Sequence, residues 1–253
     1  MVLDDALAHR TRVYGIGGVQ GSGKSTLAAQ VSALARSRGM HVFVLSIDDF
    51  YLDHDQRQQL ARDVHPLLAT RGPPGTHDVW LACKVIDTLR HGGCAQLPRF
   101  DKIRDRHLPA AQWPYAEHPD LVIFEGWFLK TPPQTDAALN EPLNAVERNE
   151  DRENTWRRHC NEALKRDYPG LWKRIDRMLW LQPPAFEVVP AWRWQQETTL
   201  QAAHPDRRAM TRIQVERFVQ LFERVSRQAL RQMPEIADRV IWLDAERRPS
   251  LAG

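Results

Sequence analysis

Apolar residues along this chain gather in short runs, and the longer stretches between them carry a helical period. The runs fall at residues 13–16, 41–47, 121–124, 178–181 and 240–243, four to seven residues each. Apolar runs of this length, bounded by Gly, Pro and acidic residues, predict strands. The near-continuous run at 41–47 predicts a central strand of a parallel sheet, covered on both faces. Between the runs, Leu27, Val31 and Leu34 mark one side of a helix that ends near Arg38, with Gly39 suited to its C-terminus. Val79, Leu81, Val85, Ile86 and Leu89 mark a second helix, begun by Asp78 as N-cap and ended by Gly92 and Gly93. Ile213, Phe218, Leu221, Phe222 and Val225 mark a long third one over 210–231.

The remaining segments are less regular. Residues 1–11 predict a short helix or a lead-in, and 53–77, polar and rich in Pro and Gly, predict a long functional loop. Residues 96–119 read as a second irregular segment. Residues 130–177 read as mostly helical, their dense mixed charges suggesting a solvated face. Residues 185–201 predict a helix that Pro190 should kink, and 204–208 form a charged break. Strands alternating with helices, without repeat or low-complexity tract, predict one three-layer α/β domain over 1–253, with a helical insertion near 130–177 and a lid near 193–210.

Composition narrows the partners. A formal charge of +3 over 253 residues is too small to argue for nucleic acid, although a local basic patch would serve a small anionic substrate. The cysteines, Cys83, Cys94 and Cys160, are widely spaced and predict reduced thiols without a disulfide framework or zinc site. The first residues lack a signal-peptide pattern and no apolar run reaches membrane-spanning length, so a cytoplasmic protein with no membrane partner is expected. The oligomeric state is not legible.

Chemistry concentrates just after the first run. Gly18-Val19-Gln20-Gly21-Ser22-Gly23-Lys24-Ser25 is the Gly-x-x-x-x-Gly-Lys-Ser phosphate loop, with a strand before it and a helix after it. Backbone N–H groups aimed at one anion need torsions that glycine tolerates, and a helix N-terminus adds its dipole. Gly18, Gln20, Gly21, Ser22, Gly23, Lys24, Ser25 and Thr26 are therefore the candidate nucleotide-binding residues. Lys24 would meet the β/γ-phosphates, and the Ser25 hydroxyl a Mg²⁺ ion. Asp48 and Asp49 close the second run and Glu125 closes the third, at strand ends where open α/β sheets place ligands. Phosphoryl transfer needs carboxylates to orient a hydroxyl, take its proton and hold the metal. Arg71, His77, Arg99, Lys102, Arg104 and Arg106 make the two irregular segments cationic, as suits an anionic acceptor. Arg193, Arg207 and Arg208 are candidates for a phosphate clamp on the lid. Trp192 and Trp194 are read as helix packing.

The element Asp48-Asp49-Phe50-Tyr51 resembles the Asp-x-Phe-Tyr/His element of the uridine kinase, phosphoribulokinase and pantothenate kinase group. A closer resemblance is to the D-glycerate 3-kinases and their relatives. It rests on Ser46-Ile47-Asp48-Asp49-Phe50-Tyr51-Leu52, Arg71-Gly72-Pro73-Pro74-Gly75-Thr76-His77-Asp78, Pro98-Arg99-Phe100-Asp101-Lys102, Phe124-Glu125-Gly126-Trp127 and Trp192-Arg193-Trp194-Gln195. The resemblance implies a P-loop fold with five parallel strands in the order 2-3-1-4-5. It also implies ATP and Mg²⁺ as cofactors and transfer of the γ-phosphoryl group to a primary hydroxyl of a small hydroxy acid, D-glycerate first. Asp48 maps onto the catalytic base, with Lys24 and Glu125 as catalytic partners and Ser25 and Glu125 on the metal. Asp49, Tyr51, Arg71, His77, Asp78, Arg99, Lys102 and Arg193 fall toward the acceptor. Another small alcohol, nucleoside-like or pantothenate-like, is an alternative acceptor, and a nucleotide switch without acceptor is the alternative of another class. The chain departs from the family after Lys102, where plant and fungal members have a Gly-rich stretch and this chain has Ile103-Arg104-Asp105-Arg106.

Overall fold

The computed structural model describes residues 1–203 and 209–249. Strands β1 (Val13–Gly18), β2 (Val42–Ser46), β3 (Leu121–Gly126), β4 (Arg177–Gln182) and β5 (Arg239–Trp242) form one sheet, paired in the order β2-β3-β1-β4-β5. Counted in chain order, that is the expected 2-3-1-4-5, and every pairing is parallel. Every residue of β1 and β3 is buried, which is why both read as unbroken apolar runs.

The helices, in chain order, are α1 (Val2–Ala8), α2 (Lys24–Ser37), α3 (His54–Asp63), α4 (Val79–Arg90), α5 (Ala145–Glu150), α6 (Thr155–Arg166), α7 (Pro169–Trp172), α8 (Val189–Ala203) and α9 (Arg212–Ile236). Asp78 Oδ1 accepts from the Leu81 N–H at 2.8 Å, so the start of α4 is a side-chain N-cap. In α2 the buried stripe runs through Ala28, Val31, Ser32 and Ala35, while Leu34 is exposed.

Several expectations are corrected. The 41–47 run is not a central strand. It forms β2 at the sheet edge, paired with β3, and Ile47 already belongs to a 3₁₀ turn, Ile47–Phe50. The 53–77 segment is not a plain loop, because it contains α3 and the 3₁₀ turn Pro66–Ala69. Helix α3 lacks an apolar stripe, so periodicity could not reveal it; its one buried residue is Arg57. Residues 96–119 contain two short antiparallel ribbons, Ala95–Gln96 with Tyr115–Ala116 and Phe100–Asp101 with Arg106–His107. The charges of 130–177 are not all solvated. Arg157 pairs with Asp151 at 2.8 Å and Arg224 of α9 with Glu147 at 2.6 Å, and Asp151 and Glu147 are fully enclosed. Pro190 does not kink α8, since it sits in the first turn, where no intrahelical N–H partner is lost.

Register brings the end of β1 that leads into the phosphate loop and the acid-bearing ends of β2 and β3 to one level. Ile16 of β1 and Ser46 of β2 both pair with Glu125 of β3. The phosphate loop leaves β1 just beyond this level, and the turn with Asp48 and Asp49 leaves β2 there too. Among the described residues, no helix is long and apolar enough to cross a membrane.

Candidate active site

The phosphate loop turns on two glycines with left-handed backbone, Gly21 at φ +77° and Gly23 at φ +93°, the latter serving as N-cap of α2. Lys24 and Ser25 are therefore the first two residues of that helix, and the Ser25 hydroxyl donates to Glu125 Oε1 at 3.1 Å. Glu125 is buried, and among the described residues its Oε2 has no partner. Among the same residues neither amide atom of Gln20 nor the Ser22 hydroxyl has one. Buried polar atoms without partners are uncommon in a folded chain. Around the loop they form a donor and acceptor set that fits polyphosphate, and the Ser25–Glu125 oxygens fit a hard divalent cation.

A cleft of about 360 Å³ opens in front of the loop, with Lys24, Asp48, Tyr51, Arg71, Lys102 and Glu125 in its wall. Asp48 Oδ2 accepts from Lys102 Nζ at 2.6 Å. Burial by itself would raise the Asp48 pKa, but the Lys102 ammonium, the Tyr51 hydroxyl and Lys24 together hold it well below the usual carboxylate range. Burial and the Asp48 charge push the Tyr51 phenol up, so it stays protonated. Lys102 is pushed up by the same carboxylate. Asp48 is thus an ionised acid between two cations at the mouth of the phosphate site.

Asp49 has a different environment. Its carboxylate is held by Arg99 Nη1 at 3.0 Å and by the Phe100 N–H at 3.3 Å. Burial raises its pKa, and Arg99 and the Phe100 amide only partly oppose this. Neither Asp49 nor Arg99 lines the cleft. They brace the Phe100–Asp101 ribbon against the end of β2.

The other sequence candidates divide similarly. Arg71 lines the cleft, with Nη1 2.5 Å from Asp105 Oδ1 and its guanidinium 5.8 Å from the Phe100 ring centre. Arg193 lines the cleft as well, hydrogen-bonded to Glu197 at 3.0 Å and 5.7 Å from the Phe218 ring centre. His77 is not a cationic loop residue. It is buried against Tyr51 and Phe128, its Nδ1 shares a 2.7 Å hydrogen bond with the Tyr168 hydroxyl, and burial lowers its pKa to about 4 despite Asp48. Asp78 is occupied as the N-cap of α4 and does not line the cleft. Arg104 and Arg106 are exposed, Arg104 toward Asp101. Arg207 and Arg208 lie outside the described residues.

Sequence reasoning missed a second cleft, of about 340 Å³, next to the first along the loop. It joins the first at Gly21, Lys24 and Ser25 and is walled by Trp192, Gln195, Gln196, Thr199 and Arg247. A Cβ on Gly21 would lie 2.7 Å from Trp192 Cβ, so α8 rests directly on the phosphate loop. Trp192 Nε1 donates to Ala245 O at 2.7 Å, the Arg247 guanidinium lies 5.4 Å from the Trp192 ring centre, and Arg247 hydrogen-bonds Gln195. Trp192 therefore does more than pack a helix. The signal was absent from sequence because the partners come from α8 and from the turn after β5, over 50 residues apart.

No known family profile matches the chain. Over 205 residues it is 33% identical to the "uncharacterized kinase mug58" of Schizosaccharomyces pombe, an alignment covering 76% of this chain and 72% of that protein. It is 28% identical to the chloroplastic D-glycerate 3-kinase of Arabidopsis thaliana over 74% of this chain, although that alignment spans only 41% of the plant protein. Among solved structures, the D-glycerate 3-kinase of Cryptococcus neoformans superposes with a TM-score of 0.81 at 26% identity, covering 100% of this chain and 95% of that one. With this similarity, a phosphate loop between β1 and α2, and strand-end acids facing that loop, the chain belongs to the glycerate 3-kinase-like P-loop kinases.

Proposed function

We propose that the protein transfers the γ-phosphoryl group of ATP to the primary hydroxyl of a small hydroxy acid, D-glycerate, giving 3-phosphoglycerate. The observation that carries this reading is the shared cleft. Lys24 of the phosphate loop, the ionised Asp48 and the cations Arg71 and Lys102 line one space.

The polyphosphate fits the loop amides with Lys24, and the nucleoside fits the second cleft, beside Trp192, Gln195 and Arg247. Ser25 and Glu125 offer two oxygens to Mg²⁺, which favours holding the ion together with phosphate oxygens. When bound, the ion neutralises charge on the phosphates. The acceptor hydroxyl fits against Asp48, which orients it and takes its proton. A weakly basic carboxylate suffices, because a loose phosphoryl-transfer transition state builds little charge on the attacking oxygen. Lys24 and Lys102 face the negative charge spread over the transferring group. Arg71 is the fork suited to the acceptor carboxylate.

The test is a panel of hydroxy acids and neutral alcohols with Mg-ATP, read by ADP release and by the phosphorylated product. D-glycerate should stimulate turnover and yield 3-phosphoglycerate. Stimulation by a nucleoside or a pantothenate-like alcohol, with none by hydroxy acids, would replace the acceptor. Slow hydrolysis unaffected by any metabolite would remove small-molecule transfer altogether.

A further inference from the structure

The turn that carries Lys102 continues through Ile103 and Arg104 to Asp105, and this stretch departs from the Gly-rich pattern described above. Asp101 Oδ1 closes the turn by accepting from the Ile103 and Arg104 N–H groups at 2.9 and 3.0 Å. Asp105 has φ +58°, a backbone region that Asp, Asn and Gly tolerate. Its carboxylate faces inward and meets cations from two other segments. Arg57 of α3 reaches Asp105 Oδ2 at 2.6 Å, and Arg71 reaches Oδ1 at 2.5 Å. His54 Nδ1 adds a contact to Oδ2 at 3.2 Å.

The two arginines differ in freedom. Arg57 is 1% exposed, and its remaining N–H groups donate to Leu52 O at 2.9 Å and Ala69 O at 2.6 Å. It is fixed to backbone on both sides and needs a counterion, because an unpaired buried charge is costly. Arg71 is partly exposed and lines the cleft. Among the described residues its hydrogen bonding rests on Asp105, with the Phe100 ring beneath.

We propose that Asp105 is a positioning residue for the acceptor: it holds the Arg71 guanidinium at the cleft by tying it to the immobile Arg57. The inference rests on the reading that Arg71 meets an acidic acceptor, and it deepens that reading by naming what sets the fork. Charge supports it. One carboxylate between two guanidiniums leaves a net positive charge, and the cleft-lining member of the group is Arg71. Asp105 thereby satisfies the buried Arg57 while leaving Arg71 attractive to an anion. Without the carboxylate the two arginines repel each other, and the more exposed one moves.

Steady-state kinetics with D-glycerate as acceptor and ATP varied separately test this on the full chain. In Asp105→Asn, which keeps the left-handed backbone and most of the shape, acceptor KM should rise about tenfold or more, as expected for a displaced positioning group. The kcat and the KM for ATP should stay within about twofold. Adding Arg71→Lys to Asp105→Asn should raise acceptor KM no further than Arg71→Lys alone, because both changes remove one contact. If Asp105→Asn is too unstable to assay, Arg57→Met with Asp105→Asn removes the buried pair in balance and should give the same KM change. A raised acceptor KM in Arg71→Lys with a normal one in Asp105→Asn overturns the inference alone, as do additive effects in the double variant. A normal acceptor KM in Arg71→Lys overturns the acid-acceptor reading and the inference with it.

Discussion

Lys102 Nζ stands 2.6 Å from Asp48 Oδ2 and joins a turn between two short strands to the end of β2. The contact keeps the acid ionised in a place where burial alone would favour its neutral form. The neighbouring carboxylate, Asp49, is spent on Arg99 and the Phe100 amide. Adjacent acids pushed in opposite directions mark different roles.

Asp48→Asn should therefore lose about 10²–10⁴-fold in kcat, the usual range for a general base, with nucleotide affinity nearly unchanged. Asp49→Asn should mainly lower stability, by loosening the Arg99 brace. Purified variants assayed for turnover, ADP affinity and thermal midpoint decide it. A larger kcat loss in Asp49→Asn would exchange the two roles.

The strands themselves and the phosphate loop were legible because their signals are local. Apolar runs in β1 and β3 are unbroken, the Gly-rich loop is contiguous, and resemblance supplied the strand order. What was not legible depends on partners distant in the chain. Helix α3 is anchored by the buried charge of Arg57 rather than by an apolar face, so hydropathy could not find it. Arg71 and Arg99 look alike in sequence, yet one lines the cleft and the other is bonded to Asp49. His77 looked cationic beside Arg71, but its ring is enclosed by Tyr51, Phe128 and Tyr168.

That enclosure makes His77 a source of pH-dependent stability. Its pKa is about 4 in the folded protein against an ordinary 6.5, so below pH 6.5 the unfolded chain binds a proton that the folded one refuses. Stability from this group is constant above pH 6.5 and falls as pH drops from 6.5 toward 4. The full loss is about 3 kcal/mol, at 1.36 kcal/mol per pKa unit. Denaturant unfolding across this window should show a shallower pH slope in His77→Phe than in the unaltered protein. Equal slopes would remove His77 as the cause.

The two adjoining clefts at the loop should separate in binding. Lys24→Ala should weaken ADP and tripolyphosphate together, because both need the phosphate site. Arg247 has φ +67°, so Arg247→Gly removes the side chain without backbone strain. Loss of its platform over Trp192 should weaken ADP about tenfold, in the range of stacking on a planar cation, and leave tripolyphosphate within about twofold. Calorimetric titration of both ligands reads the difference. Equal weakening of the two would assign Arg247 to the phosphates.

The acceptor end yields a final comparison, between the two arginines that sequence could not tell apart. A planar carboxylate is best matched by a guanidinium fork, and lysine at the same place keeps charge but not the fork. Arg71 lines the cleft with Asp48, whereas Arg99 is occupied by Asp49 and Pro98 O. Arg71→Lys should raise acceptor KM about tenfold or more with the KM for ATP nearly unchanged, since a charged hydrogen bond contributes about 1.5–3 kcal/mol. Arg99→Lys should change acceptor KM little and instead lower the thermal midpoint. Glycerol, which keeps the hydroxyl and lacks the carboxylate, should be a poor substrate for the unaltered enzyme and should not distinguish it from Arg71→Lys. Comparable kcat/KM values for glycerol and glycerate would remove the carboxylate clamp and move the assignment to a neutral alcohol.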